Sequence, residues 1–285
     1  MTAATLIAPA DLQQKILRNE VLVIDCRFDL ADAMRGERDY AQAHIPGALY
    51  ADLDRDLADL SKRGLGRHPL PDADAFSATL SRWGWQPGLA VVACDTANGA
   101  LAAARLWWML RLIGEREAAV LDGGLQAWSA AGLPLSADVA QRVPTRVAVR
   151  FDPAQLIYTE ELRTLQQNPQ SVLVDARAAA RYRGEVEPID PVAGHVPGAR
   201  NRPFSDNLQS DGRFKPAPVL RAEFAELLGA HSPHDVVHMC GSGVTACHNL
   251  LAMEHAGLSG SRLYAPSWSG WISAAENPVA KGAAS

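Results

Sequence analysis

Val236-Val237-His238-Met239-Cys240-Gly241-Ser242-Gly243-Val244-Thr245-Ala246-Cys247 decides the reading of this chain. The apolar run is a buried strand, the small residues are a tight loop, and a helix follows. That helix carries Leu250, Leu251 and Met253 and stops at Gly257, a C-terminal glycine. Gly241 and Gly243 let the backbone turn sharply without a Cβ clash. Backbone N–H groups of such a turn, together with a helix N-terminus, converge on one point and favour an anion there. A cysteine at that point is favoured as thiolate, the nucleophilic form. Most free cysteines are only packed in the core. The glycine-serine-glycine run directly after Cys240 turns the reading toward a reactive site, with Gly241, Ser242, Gly243, Val244 and Thr245 as its loop.

Outward from this stretch, the chain repeats itself. Val21-Leu22-Val23-Ile24-Asp25-Cys26-Arg27 pairs with Val172-Leu173-Val174-Asp175-Ala176-Arg177. His44-Ile45-Pro46-Gly47-Ala48 returns as His195-Val196-Pro197-Gly198-Ala199. Ala90-Val91-Val92-Ala93-Cys94-Asp95 pairs with the strand that ends at Cys240, and Trp128 pairs with Trp271. The matches keep their order at a separation of roughly 150 residues, too long for a solenoid unit. The chain is therefore two copies of one domain. Ala137 to Pro153 has two prolines and little helical pattern, which makes it the linker. The expected limits are 1–138 for the first domain, 139–152 for the linker and 153–285 for the second.

Within the first copy, helical patterns at Asp11–Arg18 (capped by Asp11), Ala73–Trp83 and Ala100–Ile113 alternate with apolar strands. The strands are Val21–Ile24, Leu89–Ala93 and Ala118–Leu121. This alternation predicts an α/β fold, a parallel sheet with helices on both faces in each domain. Sites in such sheets lie beyond the carboxyl ends of the strands, where Cys240 stands. In the first copy Asp95 replaces the cysteine. A carboxylate there is a stable buried anion without thiol chemistry, so the first domain is expected to be non-catalytic and to supply a cleft wall.

Composition narrows the function classes. A chain of 285 residues favours two domains. A net charge of −5 speaks against nucleic-acid and membrane-surface binding. No apolar run is long enough to span a bilayer, and the first residues lack a signal-peptide pattern. The four cysteines, Cys26, Cys94, Cys240 and Cys247, have no zinc-finger spacing, so no metal and no cofactor is expected. Free thiols suit a cytoplasmic protein. Cys26, Cys94 and Cys247 read as packed thiols and His238 as core.

Taken together, the paired His-x-Pro-Gly-Ala motifs, Trp107-Trp108, Leu121-Asp122-Gly123-Gly124-Leu125 and the Cys240–Ala246 loop resemble the tandem-domain sulfurtransferases. These are the rhodanese and 3-mercaptopyruvate sulfurtransferase family. The resemblance implies two rhodanese-like domains with catalysis in the second. It implies a persulfide on Cys240, formed from a small-molecule sulfur donor and passed to a thiol, cyanide or a thioredoxin-like protein. The Cys-Gly-Ser-Gly-Val-Thr loop is similar to the mercaptopyruvate type, because thiosulfate-type members carry basic residues where Gly241 and Ser242 stand. Arg181 matches an arginine associated with the donor anion, Ser242 is a candidate hydrogen-bond donor, and His44 is carried as a substrate contact from the first domain. The shared place of His44 and His195 in the two copies favours a structural role for both. Ile189 stands where a second arginine is expected, and Gly270 replaces a commoner acidic residue in Ser267-Trp268-Ser269-Gly270-Trp271. Trp268 is either cleft wall or core. Three other readings stand beside the mercaptopyruvate enzyme. They are a thiosulfate:cyanide sulfurtransferase, a non-enzymatic sulfur carrier, and a phosphatase, for which Ala246 and Cys247 replace the loop-ending arginine.

Overall fold

A computed structural model of the protein describes residues 4–166 and 168–283; the chain ends within the expected limits 1–138 and 153–285, and residue 167, lie outside the described residues. The chain divides into two compact units, one of Met1–Asp59, Leu70–Asp152 and Ser210–Phe214, the other of Leu60–Pro69, Pro153–Gln209 and Lys215–Ser285. Each unit thus holds one short segment from the other's stretch of sequence.

The first unit runs β1 (Leu6–Ile7), α1 (Pro9–Leu17), β2 (Val21–Asp25), α2 (Arg35–Gln42), β3 (Leu49–Tyr50) and α3 (Leu53–Asp56). It continues with α4 (Ala73–Arg82), β4 (Ala90–Cys94), α5 (Ala103–Leu112), β5 (Ala118–Leu121) and α6 (Gly124–Ala130). Its five strands are all parallel, in the order β1-β5-β4-β2-β3. Every residue of β2 is buried, as a continuous apolar strand covered on both faces requires. Val23 sits in register with Val92 of β4, and both belong to the core around Leu12, Ile45 and Trp128.

Two helix starts differ from expectation for local reasons. Helix α1 begins at Pro9, whose missing N–H needs no cap, and Asp11 falls in the first turn instead of at the cap. Its carboxylate still meets the positive end of the helix. Helix α5 begins at Ala103, because residues before it turn their amides onto Asp95. The stretch 139–152 has no regular secondary structure, yet it is pinned along α4. Thr145 N–H donates to the Ser81 carbonyl, Val147 N–H to Ser81 Oγ and Val149 N–H to Ser77 Oγ.

The second unit runs β6 (Leu156–Ile157), α7 (Thr159–Leu165), β7 (Val172–Asp175), α8 (Ala179–Tyr182) and β8 (Arg200–Asn201). It continues with α9 (Ala217–Leu228), β9 (Val236–Met239), α10 (Ala246–His255), β10 (Arg262–Tyr264) and α11 (Ser267–Trp271). The parallel order β6-β10-β9-β7-β8 is the order of the first sheet, position for position. The sequence repeat is therefore a repeat of topology. Side-chain pairs repeat too: Trp128 donates to Pro134 and Trp271 to Pro278, each through its indole N–H to a carbonyl. No helix among the described residues is long and apolar enough to cross a membrane.

His238, in the middle of β9, is fully buried, and its Nε2 lies 3.1 Å from the Met253 sulfur. Burial alone lowers its pKa from 6.5 to about 3, so the folded protein keeps it neutral. Between those two values the unfolded chain binds a proton that the folded chain refuses. Stability therefore falls with pH in that window, by about 1.4 kcal/mol per unit for this group. His238→Leu is expected to remove that component. Denaturant titrations at pH 7, 6 and 5 should show the wild-type stability minus the variant stability shrinking as pH falls.

Candidate active site

Strand β4 and strand β9 occupy the same place in the two sheets, and the residue after each strand faces the following loop. In the first unit that residue is Asp95. Its Oδ1 accepts N–H bonds from Ala97 and Gly99 at 2.8 Å each, and its Oδ2 accepts from Leu101 at 3.1 Å and Ala103 at 3.2 Å. Burial pushes this carboxyl up while the four amides pull it down, and burial wins. The first loop is thus occupied by a side chain of its own.

In the second unit Cys240 takes that place, 1% exposed. Gly243 N–H donates to its sulfur at 3.2 Å. The loop is fixed from outside by α11. Trp268 N–H donates to the Cys240 carbonyl and Ser269 N–H to the Gly241 carbonyl, both at 2.9 Å, while Cys240 N–H donates to Ser267 Oγ at 3.1 Å. Ser267 Oγ–H donates in turn to the Tyr264 carbonyl, and the residue adopts φ +53°, a conformation a serine rarely takes. With the carbonyls turned outward to these partners, the loop amides are left for the interior.

Ser242, 6% exposed, shares a 2.8 Å hydrogen bond with His68 Nδ1. His68 arrives on the segment Leu60–Pro69, which lies between α3 and α4 in sequence but belongs to the second unit. The preceding residue, Arg67, donates from Nη1 to Asp190 Oδ1 at 2.6 Å. Arg181, on α8, donates from Nη2 to Asp190 Oδ2 at 3.1 Å and from Nε and Nη2 to Glu187. Glu187 lies 3.5 Å from Arg177 Nη1, and Arg177 forks onto Asp175. Three cations and three carboxylates thus alternate from the end of β7 to the cysteine loop. Burial pushes the Glu187 carboxyl up, but the Arg181 hydrogen bond and the amides of Asp190 and Ile189 outweigh it and hold it low.

Gly241 is where this network meets the loop. A Cβ there would lie 3.2 Å from Arg67 Nη2, a tight contact, and 3.7 Å from Arg181 Nη1, an ordinary one, so both guanidiniums reach this point of the loop. The Arg67 segment itself seats on α11: Arg67 N–H donates to Ser269 Oγ at 2.9 Å, and a Cβ on Gly66 would collide with the Pro266 carbonyl. A Cβ on Gly270 would sit 3.1 Å from Gly66 N, which gives a physical reason for a glycine where the sequence pattern favours an acid.

These features repeat a known design. Two matches to the rhodanese-like domain cover residues 8–131 and 158–274. The chain belongs to the tandem-domain rhodanese and 3-mercaptopyruvate sulfurtransferase family. A Pseudomonas aeruginosa protein described as "Probable 3-mercaptopyruvate sulfurtransferase" is 46% identical over 99% of this chain and 100% of its own. A Mycobacterium tuberculosis protein named for thiosulfate sulfurtransferase activity is 37% identical over 98% of each chain. Among solved structures, the 3-mercaptopyruvate sulfurtransferase from Leishmania major superposes with a TM-score of 0.80 at 31% identity, over 93% of this chain and 73% of that one.

Within this sulfurtransferase frame the expected residues separate. Cys240, the loop residues Gly241 to Thr245, and Arg181 come together. His44 lies in the first unit. Its ring has no exposed surface, stacks on Tyr40 at 4.0 Å, and places its two nitrogens against the carbonyls of Tyr40 and Asp138. His195 repeats the stack on Tyr182 at 3.8 Å. The two histidines hold the same turn in both units, each ring stacked on a tyrosine. Trp268 is core, fully buried beneath the Arg177 guanidinium at 4.6 Å. Burial pushes the Cys26 and Cys94 thiols well up, as packed thiols.

Sequence reasoning missed Arg67, His68, Glu187 and Asp190. A signal for two of them was present. Gly66-Arg67-His68 parallels Gly212-Arg213-Phe214 at nearly the separation of the other repeats. Phe214 N–H donates to Asp122 in the first unit, beside which Gly212 packs on Asn98.

The Asp95 carboxylate makes a stability test. Asp95→Asn keeps the size but turns an N–H donor toward amides that also donate, and should cost about 2 kcal/mol. Asp95→Ala removes the acceptor for all four amides and should cost more, about 3–5 kcal/mol. Urea midpoints of the two variants, ranked against wild type, check this order.

Proposed function

We propose that the protein is a sulfurtransferase that moves a sulfane sulfur from 3-mercaptopyruvate through a persulfide on Cys240 to a thiol or cyanide. The observation that carries this reading is Cys240 at the focus of its loop, with Gly243 N–H on the sulfur and Ser242 paired to His68. The Cys240 thiolate attacks the donor's sulfur and an S–S bond forms. The donor's C–S bond breaks, its electron pair goes to carbon, and pyruvate leaves as the enolate. The persulfide remains, and an acceptor thiolate or cyanide then takes the outer sulfur and restores the Cys240 thiolate. Charge developing at these atoms meets preorganised N–H donors.

Ser242 suits the leaving group. In the His68 tautomer that carries its proton on Nδ1, the ring donates to the serine oxygen and the hydroxyl is free to donate onward to the keto oxygen, where the enolate charge grows. Arg181 suits the donor's carboxylate through its planar fork. A thioredoxin-like protein among the acceptors and a cytoplasmic location complete the proposal, and four cysteines outside any disulfide among the described residues fit a reducing compartment.

Thiosulfate as the donor is the second reading, favoured by two guanidiniums beside Gly241. Against it, three carboxylates balance Arg67, Arg177 and Arg181, which leaves no excess positive charge for a compact dianion. Turnover measured with both donors at equal subsaturating concentration should favour 3-mercaptopyruvate. Cys240→Ser should abolish turnover with either donor. Mass spectrometry after donor treatment without acceptor should find one added sulfur on the Cys240 peptide; added sulfur on Cys26 or Cys94 instead would sink the assignment.

A further inference from the structure

Arg67 and Arg181 share one carboxylate, Asp190, and the sharing leaves a matched pair of donors over. Asp190 takes Arg67 by Nη1 and Arg181 by Nη2. Arg67 Nη2 and Arg181 Nη1 have no hydrogen-bond partner among the described residues, and both approach the same point, the Cβ position of Gly241 next to Cys240. Arg67 Nε is likewise buried without a partner. The two guanidiniums are partly exposed, with 25% and 18% of their side-chain surface accessible, whereas Asp190 is 3% accessible. Two N–H groups held side by side at one point match the two oxygens of a planar carboxylate.

We propose that Arg67 is the second donor-binding cation of this site. Together with Arg181 it holds the carboxylate of the sulfur donor, while Asp190 is a positioning residue that aligns the two guanidiniums without occupying the edges they present. The inference rests on the donor reading above and adds to it the residue that selects 2-oxo acids over uncharged ketones. Selection of this kind has a structural prerequisite, namely the seating of residues 64–67 against α11 that Gly66 and Gly270 permit. Ile189, on the turn beside Asp190, is 42% exposed, and while its amide donates to Glu187 its apolar side chain offers the donor no charge.

The test compares 3-mercaptopyruvate with 1-mercaptopropan-2-one, which carries a methyl group in place of the carboxylate. Arg67→Gln should raise KM for 3-mercaptopyruvate roughly 10- to 100-fold with little change in kcat, and leave the uncharged ketone almost unaffected. Arg67→Lys should recover part of the loss. Asp190→Ala should weaken the preference for the acid in the same direction, and Asp190→Glu should restore it in part. Equal loss toward both donors in Arg67→Gln and Arg67→Lys would show a merely structural role and overturn the proposal. A second readout needs no turnover: pyruvate should protect Cys240 from alkylation by iodoacetamide in wild type, and only at roughly tenfold higher concentration in Arg67→Gln. Unchanged protection in that variant overturns the cradle. Wild type that fails to use 3-mercaptopyruvate overturns the donor reading instead, while the protection assay still decides the cradle.

Discussion

Backbone amides of a loop at the carboxyl end of a central parallel strand converge on one small volume, and that volume must hold an anion or a strong acceptor. Both halves of the molecule obey this constraint. In the first, Asp95 satisfies four amides and closes the question. In the second, the acceptor is the sulfur of Cys240, met by Gly243 N–H. The acceptor at the focus thus differs between the two loops while the sheets beneath remain alike. The strand orders of the two sheets are identical because neither depends on which anion sits at the loop.

Around the reactive loop, charge is arranged in series. Asp175, Arg177, Glu187, Arg181, Asp190 and Arg67 alternate in sign, and each touches the next. Such a chain holds its guanidiniums, one buried and two partly exposed, in fixed orientation and leaves the local charge near zero. What it presents to a ligand is direction more than charge. That distinction suits a monoanion recognised by shape better than a compact dianion recognised by charge density.

Much of this was legible in the sequence. The order of matching motifs gave the repeat, and continuous apolar runs such as Val21–Ile24 gave strands covered on both faces. Cys240 and its glycines stood out because special backbone and special chemistry coincide there. Arg181 came through resemblance. Residues 60–69 were opaque, since they carry neither helical nor strand periodicity, and nothing local tells which sheet such a segment will join. His68 acts on Ser242 across a sequence separation of 174 residues, so no window that reads neighbours could pair them. The surroundings of His44 were opaque for a related reason: an imidazole's two nitrogens are equally suited to a substrate or to two carbonyls, and nothing local in the sequence shows the carbonyls of Tyr40 and Asp138 beside it.

The short segments that each unit takes from the other's stretch of sequence bear on heredity. A gene fragment beginning at Pro153 would encode every strand of the second sheet and the cysteine itself, yet neither Arg67 nor His68. Such a duplicated architecture resists being divided again. The two copies differ in their loops, as Asp95 and Cys240 do, but a polypeptide holding the second stretch alone would carry Ser242 without its partner His68. Ten residues encoded within the first half thus serve the second unit.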